Sequence, residues 1–91
     1  MRLNAMQTTF NFEKISQDAI RALKDEFPDS VASVEEGWHG RVHVKIVSSV
    51  FDGKSETAKQ DIVWDVLRSK LGQDSQGVSL VLVYGLDEVG N

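Results

Sequence analysis

Ninety-one residues are enough for one hydrophobic core and too few for two. The absence of cysteine excludes a disulfide and any thiolate metal site built by this chain alone. A formal net charge of −4 supplies no overall field that draws nucleic acid, and no apolar run approaches the ~20 residues of a membrane span.

The first ten residues lack the continuous apolar stretch of a signal peptide and are expected to be flexible, with one domain over residues 11–91 and the cytoplasm as its location. Asn11 is a helix N-cap candidate, with Glu13 placed at the positive end of the helix. Ile15, Ala19, Leu23 and Phe27 then recur every four residues, with Ile20 widening the stripe, and Pro28 stops the helix. Residues 31–36 form a short strand. Gly37-Trp38-His39-Gly40 is a glycine-bracketed tip, and residues 41–49, alternating through Val42, Val44 and Ile46, form the second strand of an antiparallel hairpin.

Phe51-Asp52-Gly53-Lys54-Ser55 turns the chain into a second helix, which Ser55 can cap. Ala58, Ile62, Val66 and Leu67 mark its apolar stripe and Gly72 its end. Glu56, Lys59, Asp61 and Asp65 read as its solvated face, and Trp64 as packing beside the stripe. After residues 73–76, the run Val78, Leu80, Val81, Leu82, Val83 reads as a strand buried on more than one side. A full helix between the second and third strands requires a crossover and a parallel pair. The predicted fold is α+β, helix-strand-strand-helix-strand, with a three-stranded mixed sheet covered by two helices. Its predicted core contains Leu23, Phe27, Val44, Ile46, Ile62, Val66, Leu80 and Leu82.

Four segments, by their order and spacing along the chain, carry a family resemblance. Val47-Ser48-Ser49-Val50-Phe51-Asp52-Gly53-Lys54-Ser55 is similar to the strand exit and F-x-G motif of the BolA family, small proteins of the KH-like superfold. Ser79-Leu80-Val81-Leu82-Val83-Tyr84, followed by Asp87-Glu88, resembles the family's closing strand and acidic tail. Leu23 to Pro28, and Ile62-Val63-Trp64 with Leu67, stand where the family ends its first helix and carries its second-helix run. The resemblance implies a non-enzymatic adaptor in iron and redox homeostasis or stress response, partnered with a monothiol glutaredoxin, often through a shared iron–sulfur cluster. The family's hairpin loop often offers a Cys or His, a place held here by His39. Its second ligand, a His just before the last strand, is replaced by Gln76. Its usual Arg-His pair on the second helix is Lys59-Gln60.

The expected partner-binding residues are therefore Trp38, His39, Phe51, Gly53, Lys54 and Gln76, with His39 the one metal-ligand candidate. No cluster is expected on the isolated protein. Trp38 either anchors a partner or folds back over the hairpin. His39 either reaches a metal or is simply solvated, and His43 reads as a surface imidazole. The alternative function is that of a KH-like nucleic-acid-binding regulator. The KH clamp is a G-x-x-G loop between two helices. Asp52-Gly53-Lys54-Ser55 lacks the second glycine, and tight binding is not expected.

Overall fold

The computed structural model describes residues 10–89. The expected flexibility of the N-terminus concerns residues that lie, except for Phe10, outside the described ones. Helix α1 (Phe12–Glu26) starts where Asn11 Oδ1 accepts the Lys14 amide at 3.1 Å and ends before Pro28. Strands β1 (Val31–Glu36) and β2 (Val42–Val47) make the antiparallel hairpin. A 3₁₀ turn at Ser49–Phe51 leads to α2 (Glu56–Leu71), which Ser55 Oγ caps by accepting the Ala58 amide at 3.1 Å. A 3₁₀ turn at Gly72–Gly77 leads into β3 (Val78–Tyr84), and a last one covers Leu86–Glu88.

The sheet order is β1-β2-β3, with β2 and β3 parallel. Helix–strand–strand–helix–strand connectivity and the mixed sheet are as the sequence implies. No described helix is long and apolar enough to cross a membrane.

The core is one layer between the helices and one face of the sheet. It is built from Ile15, Ala19, Leu23, Val42, Val44, Ile46, Phe51, Val63, Leu67, Val81 and Val83. Phe27, Ile62 and Val66 flank it, half-buried. Leu80 and Leu82, expected inside, are 43% and 40% exposed. Successive strand residues point to opposite sides. Once Val81 and Val83 face the helices, Leu80 and Leu82 must face the open side of the sheet. The continuous apolar run of β3 therefore does not mean two covered faces. Both helices lie on one side, and Leu80, Leu82 and Val31 remain on the other beside Ser33, Glu35, His43 and Lys45.

A second correction falls on α2. Its most buried line is Lys59, Val63 and Leu67, one step round from the expected stripe. Lys59, read as solvated, is 1% exposed.

Candidate functional site

Parallel pairing determines which loops meet. Val42 of β2 stands opposite Val78 of β3, so the segments preceding both strands, the hairpin tip and the Gly72–Gly77 turn, lie at one end of the sheet. At the tip the Arg41 amide donates to the Trp38 carbonyl at 3.0 Å and the Gly37 amide to the Arg41 carbonyl at 2.8 Å. His39 (φ 55°) and Gly40 (φ 77°) both sit in the left-handed region, as the tight turns that match the twist of paired strands require. The Trp38 side chain is 81% exposed. It does not fold back over the hairpin, and its ring centroid lies 6.0 Å from that of His39.

Phe10 ties this end together. Its amide donates to the His39 carbonyl at 2.8 Å, and its ring lies 5.6 Å from the Arg41 guanidinium carbon. Its carbonyl is so close to Gly40 that a Cβ there would collide with it. A Cβ on Gly77 would come within 2.7 Å of Ile15 Cδ1 and 3.1 Å of Phe10 Cδ1. Two glycines thus admit one aromatic between the tip and the start of β3. Lys14 fastens the same turn from α1, its ammonium 2.8 Å from Asp18 and 3.1 Å from Asp74. Those bonds, Asp18 first, raise the lysine above its ordinary range, but the pairs are too exposed to count for much. Trp38, His39 and Gln76 are all exposed at this single end.

Phe51, Gly53 and Lys54 are elsewhere. They follow the end of β2, and a six-residue strand separates them from the tip by about 17–20 Å. Phe51 is fully buried, its ring edge-on to Phe27 at 5.3 Å. A side chain with no exposed surface offers a partner nothing, so its place is in the core. Gly53 and Lys54 are exposed, but the Gly53 amide is already used, donating to Asp87 Oδ2 at 3.0 Å.

The C-terminal turn closes this second end. The Asp87 amide donates to Asp52 Oδ1 at 3.1 Å, and Glu88 Oε1 accepts the Gly85 amide at 2.8 Å. The buried Lys59 ammonium reaches both Glu88 oxygens at 2.7 and 2.9 Å, with Glu56 at 3.2 Å. The bond to Glu88 raises the lysine above its ordinary range, against the opposing effect of burial. The same bond, with that from Gly85, holds Glu88 below the usual carboxylate range. Asp52, Glu56, Asp87 and Glu88 thus gather around the α2 N-terminus, where a phosphate would meet carboxylates.

Three features escaped sequence reasoning. The Phe10 strap has no sequence signal, because a lone aromatic near a terminus has no period. Lys59 did carry one: it stands four residues before Val63 and eight before Leu67, on the line that is buried. Gln60 is the third. Its Nε2 donates to the Val81 carbonyl on edge strand β3 at 2.8 Å, while its Oε1 accepts from Trp64 Nε1 at 3.1 Å.

No protein-family model and no curated protein matches the sequence. Solved structures do. BolA1 from Arabidopsis thaliana superposes with a TM-score of 0.67 at 19% identity, over 81% of this chain and 94% of that one. The BolA domain of SufE1 from the same plant gives 0.64 at 23% identity, with the same coverages. A BolA-like hypothetical protein from Rickettsia prowazekii, solved by NMR, gives 0.57 at 18% identity, covering 77% of this chain and 92% of that one. At these identities the likeness is one of architecture, and it agrees with the strand exit, F-x-G turn and closing strand on which the sequence resemblance rests: the chain has the BolA fold.

Proposed function

We propose that this protein is a BolA-family adaptor, not an enzyme, and that it docks a partner of the monothiol glutaredoxin class, in iron or redox homeostasis, through the sheet end that carries Trp38, His39 and Gln76. The observation that carries the reading is Trp38, 81% exposed on a tip braced by Phe10. An indole presented on a braced backbone is the kind of side chain that dominates protein interfaces. That one similar structure is a BolA domain of another protein, SufE1, supports an accessory role.

The donors at this end do not fit an iron–sulfur cluster. One imidazole is present, and Gln76 offers a neutral carbonyl oxygen, a hard donor poorly matched to such a centre. Among the described residues no group of three or more His, Asp or Glu side chains is placed to hold a metal ion. Docking therefore rests on protein contacts.

The test mixes the chain with a monothiol glutaredoxin, apo or cluster-loaded, following complex formation by calorimetry and the cluster by visible circular dichroism. The expected result is an apo heterocomplex weakened about thirtyfold by Trp38→Ala, the scale of an interface hot spot, and unchanged by Lys54→Ala at the opposite end. No heteromeric cluster signal is expected from the wild type. If Gln76→His alone creates one, the missing donor explains its absence. A wild-type cluster that disappears in His39→Ala would overturn the docking-only reading, and no complex at all would overturn the partner class.

Nucleic acid is expected to bind weakly, because the chain is acidic and carboxylates surround the α2 N-terminus. Labelled RNA and duplex DNA titrated near physiological salt should show affinities no tighter than the roughly 10⁻⁴–10⁻⁶ M of non-specific binding. Sub-micromolar, sequence-selective binding would reverse the ranking in favour of a regulator of the KH type.

A further inference from the structure

Strand β1 is an edge strand, and its sequence, Val31-Ala32-Ser33-Val34-Glu35-Glu36, confines its charges to the last two residues. It has no proline and no lysine, and the ladder to β2 runs from Val31↔Val47 to Glu36↔Val42 without a bulge. Edges left like this present a row of free amides and carbonyls that templates further pairing. Among the described residues no hydrogen bond from another segment reaches β1 other than those of the β2 ladder. Val31 is 70% exposed.

Beside the edge, α1 and β1 leave a largely apolar groove lined by Ser16, Gln17, Ile20, Arg21 and Val34. Ser16 lines the groove through its exposed edge only, being 7% exposed with its hydroxyl oxygen buried.

We propose that this edge joins two copies of the chain, β1 antiparallel to its counterpart about a two-fold axis at Ser33, merging two three-stranded sheets into one of six. Register and charge select a second copy and this alignment. Residues directly opposite must share a face of the sheet. Centring on Ser33 sets Val31 opposite Glu35, whose aliphatic stem covers the exposed valine, and Ala32 opposite Val34 on the helix side. No like charges then oppose one another, and both Glu36 residues fall outside the ladder. Centring on Val34 instead would press Glu36 against Ala32 beneath the helices, and an unpaired carboxylate there is unfavourable. The two α1 helices then run antiparallel across the groove, facing Glu13 of each first turn toward Lys24 of the other's last turn, an attractive arrangement. The edge is distinct from the tip of the proposed adaptor surface, so the two readings stand or fall separately.

Sedimentation velocity of the full chain up to about 500 µM, a range that reaches weak dimers, is the first measurement. A reversible monomer–dimer equilibrium is expected. Ser33→Lys sets two ammonium groups opposite each other at an already exposed position and should weaken dimerisation about tenfold or more. Because the chain has no cysteine, Ser33→Cys reports the axis directly. Opposed antiparallel residues lie about 4.5–5.5 Å apart at Cα, within disulfide reach, so mild oxidation should give a covalent dimer. Glu35→Cys, not opposite itself, should cross-link only when mixed with Val31→Cys. A dimer unmoved by Ser33→Lys places the interface elsewhere and overturns the proposal, as does a strict monomer. In a monomer, protection from hydrogen exchange of the β1 amides that point away from β2 would give the edge to residues 1–9 of the same chain, and their free exchange would leave it for a foreign strand.

Discussion

Phe51→Ala is expected to lose about 3–5 kcal/mol of stability, the range for truncating a buried aromatic. The ring is fully buried, sits edge-on to Phe27 and closes the core beneath the turn that follows β2. A domain of this size holds only about 5–15 kcal/mol in total, so the variant should be close to unfolding at room temperature. Leu82→Ala is the matched control. Its side chain is large and apolar but 40% exposed on the open face, and its loss should stay under about 1.5 kcal/mol. Urea titrations of both, with the slope unchanged from wild type, separate the two cases. If Phe51→Ala proves mild while abolishing partner binding, the aromatic faces a partner after all and the packing described here fails.

The contrast between Phe51 and Leu82 marks what was legible in the sequence. Elements and topology could be read because they depend on local signals. Asn11 and Ser55 are caps with recognisable neighbours, Pro28 stops a helix, and a helix between two strands forces a parallel pair. Which face each strand turns inward was less legible. β3 is apolar on both sides, so period-two alternation has nothing to distinguish, and the choice of Val81 and Val83 over Leu80 and Leu82 is made by tertiary packing. The same ambiguity shifted the α2 stripe by one position, because a lysine is assumed to face water until a carboxylate elsewhere in the chain receives it. The site was half legible. The residues at the tip and before β3 do come together, as the parallel pairing of β2 and β3 requires. Phe51, Gly53 and Lys54 were grouped with them by motif, but the chain traverses the whole strand β2 before reaching them.

That separation gives the sheet two unlike ends. Around Trp38 the side chains are exposed and aromatic, with the backbone held by Phe10 but the indole uncommitted. Around Gly53 nearly every polar group is engaged within the chain, through Asp52, Asp87, Glu88 and Lys59. An end whose hydrogen-bonding groups are already satisfied has little left with which to bind a partner, whereas it can hold the start of α2 against the end of β3.

Lys59→Met should therefore lower the melting temperature more than Lys14→Met, although each lysine bonds two carboxylates. The Lys14 side chain is 59% exposed and its bonds compete with water, whereas the Lys59 side chain is 2% exposed. Methionine keeps most of the buried stem, so the change isolates the charge. Its removal leaves Glu88 without its main partner, and the Asp87 amide on Asp52 and the Gly53 amide on Asp87 as the remaining polar ties between the α2 turn and the C-terminal turn. The pH dependence follows from the signs. Glu88 is depressed below its ordinary value of 4.5, so its contribution is complete above that pH and lost as the pH falls through the folded-state value. Lys59 is raised above 10.5, so its contribution is complete below that pH and lost only in stronger alkali. The tie is thus intact across the neutral range and opens in acid. Denaturation midpoints from about pH 7 to about pH 3 should fall more steeply below pH 4.5 for the wild type than for Lys59→Met, since linkage makes the slope follow proton uptake by the shifted carboxyl. A Glu88→Gln variant that loses the same acid slope, and a Lys59→Met/Glu88→Gln pair whose losses do not add, would identify the pair as the source. Parallel acid slopes in wild type and Lys59→Met would show that the ammonium does not depress Glu88, and the ionic closure of this end would have to be abandoned.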